Sequence, residues 1–129
     1  MQKLLIIRGI PGSGKSTYAK TLMPEYEHIE ADMFHIDQNN VYNWRFENVS
    51  RAHDWCFGAT VRALLRGKSV VVSNTFIRVW EFKDYIDIAS SLSIPYEIKT
   101  MKGEYKSTHN VPDAVTERMK LTFETFTGA

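Results

Sequence analysis

The segment GIPGSGKST at residues 9–17, directly behind the apolar run LLII, constrains this chain more than any other part of its sequence. It matches the pattern G-x-x-x-x-G-K-[ST], and it has the context that this pattern requires, an apolar strand before it and a helix after it. Gly12 and Gly14 can adopt a positive φ, which lets the backbone approach phosphate oxygens closely. The pattern therefore predicts a loop whose amides cradle a nucleoside triphosphate.

Each residue type in this loop has an expected task. The residues predicted to hold the phosphates are Gly12, Ser13, Gly14, Lys15, Ser16 and Thr17. The ammonium of Lys15 is expected to reach the β- and γ-phosphates, and the hydroxyl of Ser16 is the expected ligand of Mg²⁺. The alternative is a glycine-rich turn with a chance lysine, and the flanking strand and helix argue against it.

Apolar runs alternate with helical patterns along the whole chain. Strands are predicted at residues 3–7, 28–30, 69–73 and 94–101. Helices are predicted at about 15–23, from Ser50 to Gly67, around 82–92 and from Pro112 onward. Residues 33–49 have no clean period and are predicted to form a long, partly structured loop. Strands that alternate with helices indicate βαβ units around a parallel sheet.

Composition limits the class of protein. A chain of 129 residues is expected to form one domain, residues 1–129, and its net charge of +1 gives no overall reason to expect nucleic acid or a membrane as partner. Cys56 is the single cysteine, which excludes an internal disulfide and a cysteine-rich zinc site and fits a reducing compartment. The apolar runs are too short for a signal peptide or a membrane span. We therefore expect a cytoplasmic protein.

The end of the strand at 69–73 separates two kinds of phosphate chemistry. Motor-type hydrolases normally carry a carboxylate there, whereas this strand ends in Ser73, Asn74 and Thr75. The nearest other carboxylate at a strand end is identified as Asp32, which follows HIEA. Because the carboxyl ends of parallel strands meet at one crevice, Asp32 can accept a proton from a substrate hydroxyl. The alternative is that Asp32 caps a helix beginning at Met33.

Seven segments in a fixed order carry a family resemblance: RGIPGSGKST, EADMF, VYNWRF, AHDWC, SVVVSNTF, WEFKDY and HNVP. From Leu4 to about Phe123 the chain resembles the small P-loop kinases related to the 5′-kinase domain of bacteriophage polynucleotide kinase. The resemblance implies a three-layer α/β fold with a small parallel sheet in strand order 2-3-1-4. It also implies ATP and Mg²⁺, although the loop itself does not separate ATP from GTP, and it makes Asp32 the general base for a polynucleotide 5′-hydroxyl.

Three positions depart from the pattern of that family. His35 stands where polynucleotide kinase has an arginine that holds a substrate phosphate, and a histidine is the weaker phosphate clamp. Asn74 stands where the phage enzyme has an aspartate. His35 and Asn74 are both predicted to bind the substrate. Lys106 takes the place of the arginine of a lid, which we expect at about residues 102–111. These departures leave phosphoryl transfer as the expected reaction and leave the acceptor open.

The segment NVYNWRFENVSR interleaves aromatic and basic residues, as proteins that bind single-stranded nucleic acid do. Arg45 and Arg51 are predicted to hold a substrate phosphate, and Arg78 is predicted to face the same crevice. The aromatic residues have two interpretations, because Trp44 and Phe46 can stack on a base or anchor the loop on the core. For Arg78 the alternative is a solvated position in the first turn of a helix.

Together these features predict a kinase that moves the γ-phosphate of ATP to an alcohol, with Asp32, Lys15 and Lys106 as catalytic residues. The expected acceptor is the 5′-hydroxyl of a polynucleotide or a hydroxyl of a nucleotide or nucleoside. Two alternatives stay open at this point. One is a kinase of a small non-nucleotide metabolite, which the weak clamp at His35 favours, and the other is a nucleotide-binding regulatory module with little turnover.

Overall fold

The structure, a computed structural model, describes residues 1–102 and 113–125. The strands in these residues are β1 (Leu4–Arg8), β2 (Tyr26–Ile29), β3 (Ser69–Asn74) and β4 (Tyr96–Thr100). The α-helices are α1 (Lys15–Lys20), α2 (Val49–Leu65), α3 (Trp80–Ser91) and α4 (Asp113–Thr122). Two short 3₁₀ helices, Ala31–His35 and Phe46–Asn48, lie between β2 and α2.

The four strands form one parallel sheet in the order β2-β3-β1-β4, which confirms the predicted order. β1 lies at the centre and is buried along its whole length. In its register with β3, Leu4 pairs with Val70 and Arg8 pairs with Asn74. A strand buried on both faces is continuously apolar, which is why LLII and VVV were recognisable in the sequence.

Side chains of the two central strands alternate between the faces of the sheet. On one face lie Leu4, Ile6, Val70 and Val72. On the other face lie Leu5, Ile7 and Val71. The first set shares a core with Cys56 of α2 and Phe82 of α3, and the second packs with Ala19 of α1. Helices therefore cover both faces, and the expected three-layer arrangement is confirmed.

The boundaries differ from the sequence prediction at three places. α1 ends at Lys20, three residues before the predicted end. α2 begins at Val49 with Asn48 in the N-cap position, so Ser50 is not its cap. The segment at 33–49 has more regular structure than predicted. It contains the end of the first 3₁₀ helix, all of the second one, and a bridge between Ile36 and Tyr42.

The described residues also bear on membrane insertion. Among them, no helix combines the length and the apolar character that a membrane crossing requires.

Arg8, the last residue of β1, is fully buried and ties distant segments together. Its Nε donates to the carbonyl of Phe76 at 3.0 Å and its Nη2 to that of Ile77 at 3.1 Å. The guanidinium also lies over two aromatic rings, 4.8 Å from the centroid of Phe82 and 4.1 Å from that of Phe123. Arg8 thus fastens the corner after β3 and the end of the α4 segment to the sheet, and burial lowers its pKa.

We predict that Arg8→Met lowers the free energy of unfolding by about 3 kcal/mol, because the carbonyl of Phe76 loses its donor and that of Ile77 keeps only the amide of Glu124. Urea titration followed by circular dichroism measures this change. Arg66→Met is the matched control, since Arg66 is exposed and pairs with Glu27 at 3.5 Å, and exposed pairs contribute about 0–1 kcal/mol. Equal losses in the two variants would show that the buried contacts of Arg8 do not stabilise the fold.

Candidate active site

The loop between β1 and α1 has the backbone that its sequence predicts. Gly12 and Gly14 adopt φ values of 81° and 92°, in the left-handed region that favours glycine. The first helical bond of α1 runs from Tyr18 N–H to the Gly14 carbonyl at 3.0 Å, so the amides of residues 15–17 point out of the helix end. The first turn carries no acidic residue that would compete with a phosphate. The loop is therefore shaped to receive an anion.

Close packing holds this loop in place. A Cβ added to Gly9 would come within 2.8 Å of the Met101 carbonyl and would also clash with the Ser13 side chain. Ser13 is itself fully buried, and its hydroxyl has no hydrogen-bond partner among the described residues. The start of the loop thus requires glycine for space, which the pattern alone does not explain.

Lys15 lies at the start of α1, half-buried, and its Nζ donates to the carbonyl of Ile10 at 2.9 Å. Burial lowers the pKa of this ammonium to about 8, although the negative charges of Glu30 and Asp32 act in the opposite direction. Both carboxylates are therefore near enough to act electrostatically on the lysine. A further negative charge at the loop would stabilise the protonated form.

Glu30 is the site residue that sequence reasoning missed. β2 ends at Ile29, so Glu30 follows the strand at the carboxyl-terminal end of the sheet, where the phosphate loop also begins. Its Oε2 accepts hydrogen bonds from the hydroxyls of Ser16 at 2.8 Å and Ser73 at 2.9 Å, and His28 Nε2 lies 3.2 Å away. The statement that Asp32 is the nearest other carboxylate at a strand end is therefore wrong.

The charge state of Glu30 follows from these contacts. Burial alone would raise the pKa of the carboxyl, but the hydrogen bonds from His28, Ser16 and Ser73 outweigh it and hold the pKa at about 2. Glu30 is thus a carboxylate at neutral pH. The sequence signal that could have found it is its position one residue past the end of β2, beside the strand that lacks an acid.

Asp32 lies in the first turn of the 3₁₀ helix Ala31–His35 rather than at its cap, which is Glu30. The helix-cap alternative for Asp32 is therefore not supported. Its Oδ1 accepts a hydrogen bond from the Tyr42 hydroxyl at 3.2 Å. Burial and the charge of Asp32 raise the pKa of that phenol, so Tyr42 stays a donor at neutral pH. Asp32 thus acts electrostatically on Lys15 and accepts a hydrogen bond from a neutral phenol.

Asn74 sets the position of the turn that carries Asp32. Its Oδ1 accepts a hydrogen bond from the amide of Ala31 at 2.8 Å, and its Nδ2 donates to Cys56 Sγ at 3.4 Å. The residue is buried, and both ends of its amide have protein partners. Asn74 therefore positions the 3₁₀ helix, whereas the predicted contact with substrate stays untested by this geometry.

His35 is buried among aromatic rings. Its ring centroid lies 6.0 Å from that of Tyr42 and 6.3 Å from that of Trp44, and its Nδ1 has no partner among the described residues. Burial lowers the pKa of the imidazole, so His35 is neutral at pH 7. His35 therefore packs as a neutral ring against its aromatic neighbours, and its contact with a substrate phosphate stays a prediction.

The aromatic loop that follows, residues 36–46, is turned to solvent. Trp44 is 51% exposed and Phe46 79% exposed. The interpretation that the side chain anchors the loop on the core is therefore wrong for Phe46, whereas the half-exposed ring of Trp44 also packs against the buried His35. Both rings are exposed to a ligand, and Tyr42 of the same loop contacts Asp32.

The remaining predicted substrate residues within the described part of the chain are three arginines, and all of them are exposed. Arg45 and Arg51 are exposed, and Arg45 approaches Glu47 at 4.0 Å. Arg78 pairs with Glu124 at 3.6 Å, and its role toward a substrate stays a prediction. Lys106 and nearly all of the predicted lid, about 102–111, lie outside the described residues; Lys102 itself is exposed.

Comparison with known proteins identifies the family. A family model named AAA_33 and described as an AAA domain matches residues 4–126. The chain belongs to this AAA-domain family. The resemblance to small P-loop kinases is confirmed, since the homologues and structural neighbours of the chain include polynucleotide kinases.

The chain is similar to three curated proteins. It is 30% identical to the uncharacterized protein PM0531 of Pasteurella multocida, over 94% of this chain and 76% of that protein. It is 30% identical to the bifunctional polynucleotide phosphatase/kinase of Schizosaccharomyces pombe and 29% identical to human NEDD4-binding protein 2. These matches span only 24% and 6% of the two eukaryotic proteins, although they cover 84% and 85% of this chain.

Solved structures show the same fold. A chain of the Pnkp1/Rnl/Hen1 RNA repair complex superposes with a TM-score of 0.72 at 18% identity, over 95% of this chain and 44% of that one. A sugar kinase from Janibacter sp. HTCC2649 gives a TM-score of 0.64 at 18% identity, over 98% of this chain and 80% of that one. The AAA-domain chain thus has a P-loop kinase fold.

The pKa of Lys15 predicts a cost to folding. Below pH 8 the lysine is protonated in both the folded and the unfolded chain, so the folded state bears the full penalty of a desolvated ammonium. As pH rises above 8 the folded state loses the proton first, and the penalty disappears toward the ordinary lysine value of 10.5. Stability should therefore rise over this range.

We expect Lys15→Met to raise the free energy of unfolding of the nucleotide-free protein by about 2 kcal/mol at pH 7. This gain should fall by more than half between pH 7 and pH 9.5, as measured by urea titrations at several pH values. Lys20→Met is the control, because Lys20 is exposed at the other end of α1, and its difference from wild type should stay flat. A gain for Lys15→Met that does not change with pH would contradict the assignment.

Proposed function

We propose that the chain is a kinase that transfers the γ-phosphate of ATP to a hydroxyl of a polynucleotide 5′ end, a nucleotide or a nucleoside. The observation that carries this proposal is the position of Asp32. Its charge acts on Lys15 of the phosphate loop, and its carboxylate lies at the open edge of the sheet beside an exposed aromatic loop. A base between a phosphate cradle and an acceptor surface is the arrangement that alcohol phosphorylation needs.

On the donor side, the loop amides and Lys15 would bind the triphosphate. The residues also fit Mg²⁺, because the Ser16 hydroxyl stands beside the Glu30 carboxylate and Mg²⁺ prefers such oxygen ligands together with phosphates. The ion would supply neutralisation of the charge on the transferring phosphate. Burial destabilises the protonated form of Lys15, and each negative charge of the nucleotide would stabilise that form.

On the acceptor side, Asp32 would take the proton of the attacking hydroxyl, and the phenol of Tyr42 would hold the carboxylate in orientation. The exposed rings of Trp44 and Phe46 suit an acceptor with a planar base, and the exposed Arg45 and Arg51 suit its phosphates. This support agrees with the family's polynucleotide kinase relative. A small polyol has no planar base that could stack on these rings.

The role of Asp32 is tested by Asp32→Asn, which keeps the shape and the bond from Tyr42 but removes the base. Transfer from radiolabelled ATP to a 5′-hydroxyl oligonucleotide should fall by about 10²-fold or more, whereas ATP affinity should change less than about twofold. Asp54→Asn, at an exposed position on α2, is the control and should keep full activity. Unchanged turnover in Asp32→Asn would exclude Asp32 as the base.

The acceptor class is tested by Trp44→Ala. We expect the KM for a 5′-hydroxyl oligonucleotide to rise about tenfold, because base stacking on an aromatic side chain contributes about 1–3 kcal/mol, and the KM for ATP to stay constant. Trp80→Ala provides the control, since Trp80 is 73% exposed on α3 outside the aromatic loop. Transfer to small sugars or polyols, with no transfer to nucleic acid or nucleosides, would instead favour the metabolite kinase.

A further inference from the structure

The strand that should carry the metal-site acid lacks it. In P-loop enzymes Mg²⁺ is held by the loop Ser/Thr and by an acid at the end of a neighbouring strand. β3 is the neighbour of β1 in this sheet, and it ends in Ser73 and Asn74. Asn74 has both ends of its amide in protein contacts, so it is not available as a substitute.

The adjacent strand brings a carboxylate to the same place. β2 pairs with β3 in a register that sets Ile29 opposite Val72, so Glu30 comes level with Ser73. The side chain of Glu30 reaches across, since its Oε2 lies 2.9 Å from Ser73 Oγ and 2.8 Å from Ser16 Oγ. The acid and the loop serine are therefore in direct contact although the acid belongs to another strand.

The hydrogen bonds orient both groups. Ser16 uses its proton toward Glu30, so the lone pairs of its oxygen are left for a cation at the loop. All three contacts of the carboxylate converge on Oε2, and within the described residues none of them uses Oε1. His28, whose side chain is only 3% exposed, touches both Glu30 and Ser73 and fixes the rotamer of the acid.

These two oxygens cannot hold a cation alone. Among the described residues, no group of three or more histidine, cysteine, aspartate or glutamate side chains could bind a metal ion. Mg²⁺ keeps several waters and typically binds through one or two carboxylates together with substrate phosphates. The ion should therefore enter with the nucleotide and should not bind the free protein.

We propose that Glu30 is the metal-site carboxylate of this chain, moved from the end of β3 to the end of β2, where it orients Ser16 toward the metal–nucleotide complex. This inference rests on the proposed function, because it concerns the ion that accompanies ATP. It does not depend on phosphoryl transfer, since the site would act in nucleotide binding alone.

The test is the affinity for ADP, measured by isothermal titration calorimetry in Mg²⁺ and in EDTA. Wild type should bind ADP at least about tenfold more tightly with Mg²⁺. Glu30→Gln should lose most of this increment, yet its affinity in EDTA should be unchanged or higher, because a negative charge beside the phosphates has been removed. Affinity lost equally in both media would assign Glu30 a purely structural role and overturn the proposal.

A second measurement uses Mn²⁺, whose electron paramagnetic resonance signal reports the free ion. Wild type should bind Mn²⁺ only with ADP present, and Glu30→Gln should bind it more weakly by a similar factor. Glu27→Gln is the matched control, because Glu27 lies exposed on β2 and pairs with Arg66. Tight Mn²⁺ binding to nucleotide-free wild type, or to Glu30→Gln with ADP, would also contradict the proposal.

An exchange of the two residues provides the decisive variant. Glu30→Ser combined with Ser73→Asp returns the acid to β3 and keeps one hydroxyl and one carboxylate in contact. The double variant should recover the Mg²⁺-dependent increment that Glu30→Gln loses, even where the single variant is unstable. No recovery in a folded double variant would show that Glu30 does not replace an acid at the end of β3. If these results agree but no alcohol is phosphorylated, the site proposal stands and the kinase proposal fails.

Discussion

The parallel pairing of β3 with its two neighbours determines the position of every group in the site. Arg8 pairs with Asn74, so the phosphate loop begins beside the end of β3, and Ile29 pairs with Val72, so Glu30 emerges next to Ser73. Both central strands are buried, and their backbone groups have no water to replace a missing ladder bond. The burial that stabilises the sheet therefore also fixes the register. The register in turn fixes the relative positions of the site residues at the strand ends.

This constraint explains which parts of the molecule were predictable from sequence. The strands, the phosphate loop and the sheet order follow from local apolar runs, glycine spacing and a resemblance that spans most of the chain. Glu30 was missed because its role depends on the register between β2 and β3, which no local pattern contains. The amide of Asn74 likewise reaches Ala31, 43 positions away in the chain. Arg8 lay just outside the predicted strand at residues 3–7, although it is among the largest fully buried side chains.

Electrostatics at the sheet edge favour a loaded site over an empty one. Lys15 is half-buried near the carboxylates of Glu30 and Asp32, and its lowered pKa shows that their attraction does not repay its desolvation. A triphosphate would supply the missing anion for Lys15 but would also approach both carboxylates. In the proposed function, Glu30 and Ser16 would hold a divalent cation whose charge would offset that repulsion. The groups that cost folding energy in isolation would then become favourable with nucleotide and metal bound together.

The proposed mode of acceptor recognition depends on the neutral state of His35. A charged arginine buried at this position would need an anionic partner, whether substrate phosphate or carboxylate. A neutral imidazole has no such requirement, and it packs against Tyr42 and Trp44 at centroid distances near 6 Å. Through Tyr42 that packing reaches the carboxylate of Asp32. Replacement of the family arginine by histidine therefore shifts recognition, in the proposed function, from a phosphate held by charge to a ring held by stacking. The base and the stacking surface are thereby connected through two residues, because Tyr42 bonds to Asp32 and His35 packs against both Tyr42 and Trp44.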